Sequence, residues 1–353
     1  MKRFQSLDIL RGLIMVLMAI DHVRVYAGVP AGGPDPAIFF TRWVTHFCAP
    51  GFAFFAGTAA FLYGIKLGSP SALARYLFTR GFMLVILEIT LIRLFWTFNL
   101  NLSDFMLAGV IWMLGWCMVL LGTTVRMNAR TIGIIGLAII FFQQLFGYVS
   151  TSPYWQFIYT SAQEGPSWIA ILYVIVPWVG VMMAGYGFGS ILLMEENKRN
   201  KLCYVIGFTS ILLFIIIGSF LVDYSKPFIF QLLNQRKYPA SQLYLMMTLG
   251  PLIALIPWAE KAKGVFVNFL SVFGRVPFFY YLAHILIIHI SALIVNYFLF
   301  GDAHQEWYNS APFAQVPQEN RWSLGLLYFV FVIDVTILYF ISKWYSKRKL
   351  KYL

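Results

Sequence analysis

The sequence predicts an all-α polytopic membrane protein with about ten transmembrane helices. Three observations carry this prediction. Of 353 residues, 60% are hydrophobic and only 11% charged, whereas a soluble domain carries about 25% charge. Ten stretches stay apolar over about 20 residues, the length a helix needs to cross the hydrocarbon core. Finally, the basic residues gather at alternate ends of those stretches, as the positive-inside rule requires.

Taken in order, the ten stretches are roughly 8–26, 46–65, 80–98, 105–122, 131–149, 167–192, 203–222, 240–258, 267–299 and 323–342. The first opens on "MKRFQ", a basic start that could belong to a signal peptide. Asp8 and Arg11 interrupt its apolar centre, however, and Asp21-His22 stands where small cleavage-site residues belong, so it reads as a retained helix. The second is rich in small residues, with Ala56, Gly57 and Ala60 permitting close helix approach. The ninth is too long for one simple crossing. "FGRVPFFYY" is expected to break it, with Pro277 opening the main helix. No internal repeat or soluble insertion divides the series, so residues 1–353 read as one transmembrane domain.

With the N-terminus in the cytoplasm, 19 of the 26 Lys and Arg residues fall at inside-facing ends. Among them are Lys2, Arg3, Lys198, Arg199, Lys201 and the tail "KWYSKRKLKYL". Outside-facing ends keep seven, including Arg42, Lys226 and Arg321. Both termini are therefore expected to be cytoplasmic. The net charge of +12 reflects this bias and does not imply nucleic-acid binding, since no basic-aromatic module interrupts the apolar runs. Cys48, Cys117 and Cys203 form no CxxC and read as packing residues.

Function should lie where polar groups interrupt apolar helices, because burying them in a bilayer is costly. Asp8, Arg11, Met15, Met18 and His22 follow steps of three and four and share one face of the first helix. A cation then sits near its cytoplasmic end and an imidazole near its outer end, eleven residues and about 16 Å apart. Asp21 points about 100° away from His22 and is better placed for Arg24 or another helix. A satisfied helix-end pair is the plain structural reading of Asp21-His22. His46, entering the second span, should share the level of His22 and is a candidate partner. Glu88 and Arg93, five apart, are expected to pair with neighbouring helices. Arg275 and His284 form the last cluster, with Asp334 a possible partner for His284. The outer loops, 27–45 and 300–322, are the longer ones. Trp and Tyr in the second suit sugar stacking, or equally an interfacial aromatic belt. No HExxH, GxSxG or Walker motif appears in a suitable context, and the histidines lack metal-ligand spacing, so no metal is expected.

"SLDILRGLIMVLMAIDH", followed by "THFCAPGFAFFAGTAAFLYG" and later by "GRVPFFYYLAH", resembles the heparan-alpha-glucosaminide N-acetyltransferase catalytic-domain family, within the wider group of transmembrane acyltransferases. The resemblance implies transfer of an acetyl or similar group from cytoplasmic acyl-CoA to an amine or hydroxyl of an extracytoplasmic sugar or glycan. Arg11 and Arg275, with Arg80 and Asp8 beside them, would bind the CoA. His22 would be the general base or an acylated nucleophile, with Asp21, His46 and His284 as further catalytic candidates. One departure is visible. The lysosomal enzyme carries asparagine at the position of His22 and its catalytic histidine in the loop before the second span, where residues 27–45 here hold none. In the related O-acyltransferases the histidine ending the first helix is the catalytic one.

The sequence thus reads as an acyl-CoA-dependent enzyme of a bacterial inner membrane. Its expected partners are acyl-CoA, a saccharide acceptor and the bilayer; no nucleic acid is expected, and a homo-oligomer is compatible. A transporter or exporter using the same Asp/His/Arg path is the alternative, weakened by the lack of an inverted repeat.

Overall fold

The computed structural model describes residues 4–32, 35–160, 165–225 and 227–349. Lys2, Arg3, Lys226 and Lys351 of the charge pattern, and Gly33 and Pro34 of the 27–45 loop, lie outside the described residues. In chain order the α-helices are α1 (Gln5–Tyr26), α2 (Pro36–Trp43), α3 (Cys48–Leu67), α4 (Pro70–Leu87), α5 (Arg93–Thr97), α6 (Val110–Thr124), α7 (Ala129–Phe141), α8 (Trp178–Leu192), α9 (Glu196–Phe220), α10 (Phe228–Leu233), α11 (Gln242–Ala254), α12 (Ile256–Lys261), α13 (Val265–Arg275), α14 (Pro277–Phe300) and α15 (Leu324–Lys349). The described strands are β1 (Leu107–Ala108) and β2 (Ala170–Ile171), paired in parallel.

The protein is an integral membrane protein of helical construction. Five described stretches are long and apolar enough to cross a bilayer: Pro36–Leu67, Glu196–Phe220, Gln242–Lys261, Pro277–Phe300 and Leu324–Arg348. The 22 residues of α1 span about 33 Å and carry the charged groups already noted. Several apolar stretches expected to be single helices are shorter or broken. The stretch 131–149 is helical only to Phe141, then turns as a 3-10 helix over Gln143–Tyr148. Gln242 ends it, donating from Nε2 to the terminal carbonyls of Ile140 and Phe141, both at 3.1 Å. The stretches 105–122 and 167–192 begin as β1 and β2, which supply one another's backbone bonds, and become helical only at Val110 and Trp178. The break in 267–299 falls where expected. Val276 leaves helical geometry, with φ −131° and ψ 50°, and Pro277 opens α14.

The chain groups into two compact units. One contains Ala49–Ile89 and Met106–Pro257. Its helices close on glycines. A Cβ on Gly57 would lie 1.9 Å from the Met182 carbonyl oxygen, and one on Gly185 would lie 2.0 Å from that of Phe54. Thr58 seals this α3–α8 contact, its Oγ1 bonding the carbonyls of Phe54 and Gly185 at 3.0 and 2.9 Å. Helices α7 and α8 run antiparallel, with Gly133 on Gly187 and Gly136 on Gly180. Glu88 is buried and meets backbone N–H groups of Gly109, Ile111 and Trp112. It thus caps the N-terminus of α6 and, among the described residues, pairs with no cation.

The other unit contains Phe4–Cys48, Thr90–Phe105 and Trp258–Leu353. Helix α1 packs antiparallel on α13. A Cβ on Gly12 would lie 1.9 Å from the Leu270 carbonyl oxygen, and one on Gly274 would lie 1.8 Å from that of Asp8. The N-terminus of α1 has no side-chain cap of its own. Glu260 supplies one, accepting the Ser6 N–H at 3.0 Å, with its negative charge on the positive end of the helix dipole.

Candidate active site

The site is built on α1, α5 and α14, all within the second unit. Helix α1 delivers His22 one turn before its end, and α14 delivers His284 two turns after Pro277. The His22 Nδ1 and His284 Nε2 atoms are 2.6 Å apart. The ring planes differ by 21° with centroids 4.7 Å apart, which is the geometry of a nearly in-plane, edge-to-edge hydrogen bond. His284 is fully buried and His22 partly so.

The protons of this pair follow from their partners. His284 Nδ1 lies 3.1 Å from the Tyr280 carbonyl oxygen, one turn back on α14. A carbonyl only accepts, so His284 Nδ1 carries hydrogen. In the neutral ring Nε2 then holds the lone pair. The bond to His22 is therefore donated by His22 Nδ1–H, and the second lone pair of the relay lies on His22 Nε2. The order is Tyr280 C=O, His284, His22, with the basic nitrogen at the end. The His284–His22 link needs one lone pair, so at most one ring of the pair can be charged.

Further contacts hold the frame. Tyr280 Oη donates to the Met15 carbonyl at 3.2 Å, fixing α14 on α1. Trp96 of α5 meets the His22 ring edge-on, with centroids 4.7 Å apart. Helix α5 ends at Thr97, and its last carbonyls are taken up by side chains. His289 Nδ1 donates to Phe95 O at 2.9 Å, Tyr26 Oη to Trp96 O at 2.7 Å and Gln305 Nε2 to Thr97 O at 2.8 Å. Arg93 anchors the chain beyond, donating to the carbonyls of Asn99, Asn101 and Phe105. It clamps a loop and does not form the helix–helix pair expected of it.

The loop over 300–322 is fastened over the same region. Tyr308 Oη donates to the Tyr26 carbonyl at 3.0 Å and accepts from Asn296 Nδ2 at 2.9 Å. Burial pushes the Tyr308 phenol up to about 12 despite the Asn296 bond, so the hydroxyl stays protonated and able to donate. Trp322 Nε1 donates to Asn296 Oδ1 at 3.2 Å, and its backbone N–H to Ala27 O at 3.1 Å. Tyr308 and Trp322 are thus buried fasteners and not sugar platforms. Trp307 is only half-buried and stacks on His304, with centroids 4.0 Å apart.

The remaining candidates are distributed as follows. Asp21 pairs with Arg24 at 2.9 Å, and Arg24 also donates to Val29 O at 2.7 Å, fixing the turn after α1. His46 is buried and its Nδ1 donates to the Arg42 carbonyl at 3.1 Å. Asp8 is buried and Arg11 partly so. The α1–α13 register puts Asp8 beside Gly274 and Gly12 beside Leu270, so Arg11 and the exposed Arg275 lie toward one end of that helix pair, about a turn apart. Arg80 belongs to the first unit, exposed, with its guanidinium 5.7 Å from the Tyr76 ring centre. Asp334 is not the partner of His284. It accepts from Ser291 Oγ at 2.6 Å, while His284 takes His22. The pairing of residues 262 apart carried no local signal; only the i−4 bond to Tyr280 could have been read from spacing. Among the described residues no group of three or more His, Cys, Asp or Glu is arranged to hold a metal ion.

A family model described as "Heparan-alpha-glucosaminide N-acetyltransferase, catalytic" matches residues 3–224. The matched span includes Asp8, Arg11, Asp21, His22, His46 and Arg80; Arg275 and His284 follow it. No curated protein matches the chain.

Proposed function

Because the chain belongs to the heparan-alpha-glucosaminide N-acetyltransferase catalytic family, we propose that it is a multi-pass acyltransferase moving an acetyl or similar group from cytoplasmic acyl-CoA to an amine or hydroxyl of an extracytoplasmic saccharide. The observation that supports this best is the Tyr280–His284–His22 relay. Acyl transfer requires a group that takes a proton from the acceptor at neutral pH, and an imidazole whose tautomer is fixed with its lone pair on Nε2 meets that need. In this reading the acceptor N–H or O–H gives its proton to His22 Nε2 as its heteroatom attacks the thioester carbon. The C–S bond breaks, and the proton passes to the CoA sulfur, leaving acylated acceptor and free CoA. His284 positions His22, with Asp21 holding the following turn through Arg24 and His46 as a further polar group of the same unit.

Arg11 and Arg275, on neighbouring helices, would bind CoA phosphates, with Asp8 beside Arg11. Along α1, Arg11 and His22 are about 16 Å apart. A donor bridging them needs a long flexible arm between its phosphates and its reacting carbonyl, which acyl-CoA has. The reading takes ten crossings, both termini in the cytoplasm and a bacterial-type inner membrane.

The test is acetyl-CoA binding and transfer by purified protein. Wild type should bind, Arg11→Ala should bind more weakly, and His22→Ala should bind like wild type but transfer about 10²–10⁴-fold more slowly. Failure of wild type to bind acetyl-CoA or longer acyl-CoAs would remove the donor and leave the transport reading of the same polar groups.

A further inference from the structure

Helices α7, α8, α9 and α11, all of the first unit, enclose an open apolar groove of about 600 Å³. From α7 it is lined by Arg130, Leu137 and Phe141, from α9 by Leu213, and from α11 by Leu245. Leu137 and Phe141 are at least half exposed although they face this groove. The groove is too apolar to hold water in a bilayer-embedded helix bundle, and too open to be packed by the chain itself.

Its two ends differ in charge. The antiparallel register of α7 on α8, Gly133 to Gly187 and Gly136 to Gly180, puts Arg130 beside the C-terminal end of α8. After three intervening residues α9 begins, with Lys198, Arg199 and Lys201 in its first two turns. Arg130 is exposed at this end and forms no ion pair among the described residues. From Arg130 to Phe141 the wall runs eleven residues, about 16 Å, or half of a hydrocarbon core about 30 Å thick. A cation therefore stands at headgroup level over an apolar slot one leaflet deep.

We propose that this groove holds an anionic phospholipid, with its phosphate at Arg130 and an acyl chain along α7 and α11. Charge selects this occupant. A zwitterionic lipid also brings a phosphate, but with it a quaternary ammonium that this basic end of the groove repels, whereas basic recesses between transmembrane helices favour headgroups of net negative charge. The site is independent of the acyl-transfer reading and uses none of its residues.

Native mass spectrometry of the full chain, delipidated and then exposed to phosphatidylglycerol or phosphatidylcholine, tests it. Wild type should retain one phosphatidylglycerol in preference to phosphatidylcholine. Arg130→Gln should lower that preference about fivefold, as one interfacial cation would. Leu137→Trp, which fills the slot from an exposed position, should lose both lipids while keeping the wild-type melting temperature. Equal retention of the two lipids by wild type, or an unchanged preference in Arg130→Gln, would overturn the proposal. So would a wild-type dimer that Leu137→Trp dissociates, since a second copy of the chain would then be the occupant.

Discussion

At the scale of single residues, the relay makes a claim about one proton. Free neutral imidazole carries its hydrogen on either nitrogen, but His22 is given a lone-pair acceptor at Nδ1 by His284 Nε2, and His284 is itself fixed by the Tyr280 carbonyl. Nitrogen-15 NMR of labelled histidine should therefore find the His22 hydrogen on Nδ1 in the neutral state. His284→Gln keeps an acceptor at similar reach and should preserve that tautomer and most of the transfer rate. His284→Phe keeps the ring shape but no acceptor; it should return hydrogen to Nε2 and slow transfer without weakening acyl-CoA binding. An unchanged tautomer in His284→Phe would show that His284 only fills space.

At the scale of elements, the end of α5 and the seam between α1 and α13 decide where His22 stands. Tyr26→Phe leaves the Trp96 carbonyl without its 2.7 Å donor. Such a loss costs about 1–3 kcal/mol when the group stays buried. Hydrogen exchange over 93–105 should accelerate, and transfer should fall as Trp96 loosens against His22. The α1–α13 seam is limited by backbone contact, so Gly12→Ala and Gly274→Ala should each lower stability by about 1–3 kcal/mol, read as a lower melting temperature in detergent. Both enlarge the same seam. The double variant should lose less than the two single losses added together, because a helix already displaced by one methyl has room for the other.

At the scale of the whole molecule, the charge pattern predicts which ends share a side of the membrane. A cysteine introduced at Asn309, in the 300–322 loop, should react with a membrane-impermeant maleimide in intact cells. One at Asn197, beside Lys198 and Arg199, should react only after permeabilisation. The native Cys48, Cys117 and Cys203 are buried and should contribute little background. Reaction of both introduced cysteines from the same side would refute the ten-crossing reading with its cytoplasmic termini.

Much of this was legible in the sequence because it depends on local composition. Apolar length and low charge determine that the chain is helical and membrane-embedded. The Val276-Pro277 pair determines the break before α14. Asp8, Arg11, Gly12 and Asp21-His22 lie in the span that the family model matches, and the i,i+3 spacing of Asp21 and Arg24 gives their ion pair. Other features depend on which distant segment arrives. Its apolar surroundings required a partner for His284, with Asp334 one candidate, and the packing of α1 on α14 chose His22. Glu88 and Arg93 looked like halves of interhelical ion pairs, but unpaired helix-end amides and loop carbonyls claimed them first. Tyr308 and Trp322 looked like sugar-binding aromatics, yet burial made them fasteners. The sequence by itself determined the solvent this chain folds in and the residue types available for chemistry, since both follow from transfer free energies summed along the chain. Only the tertiary structure decided which buried polar group satisfies which, because each must find a partner in an apolar interior and that choice depends on geometry between segments hundreds of residues apart.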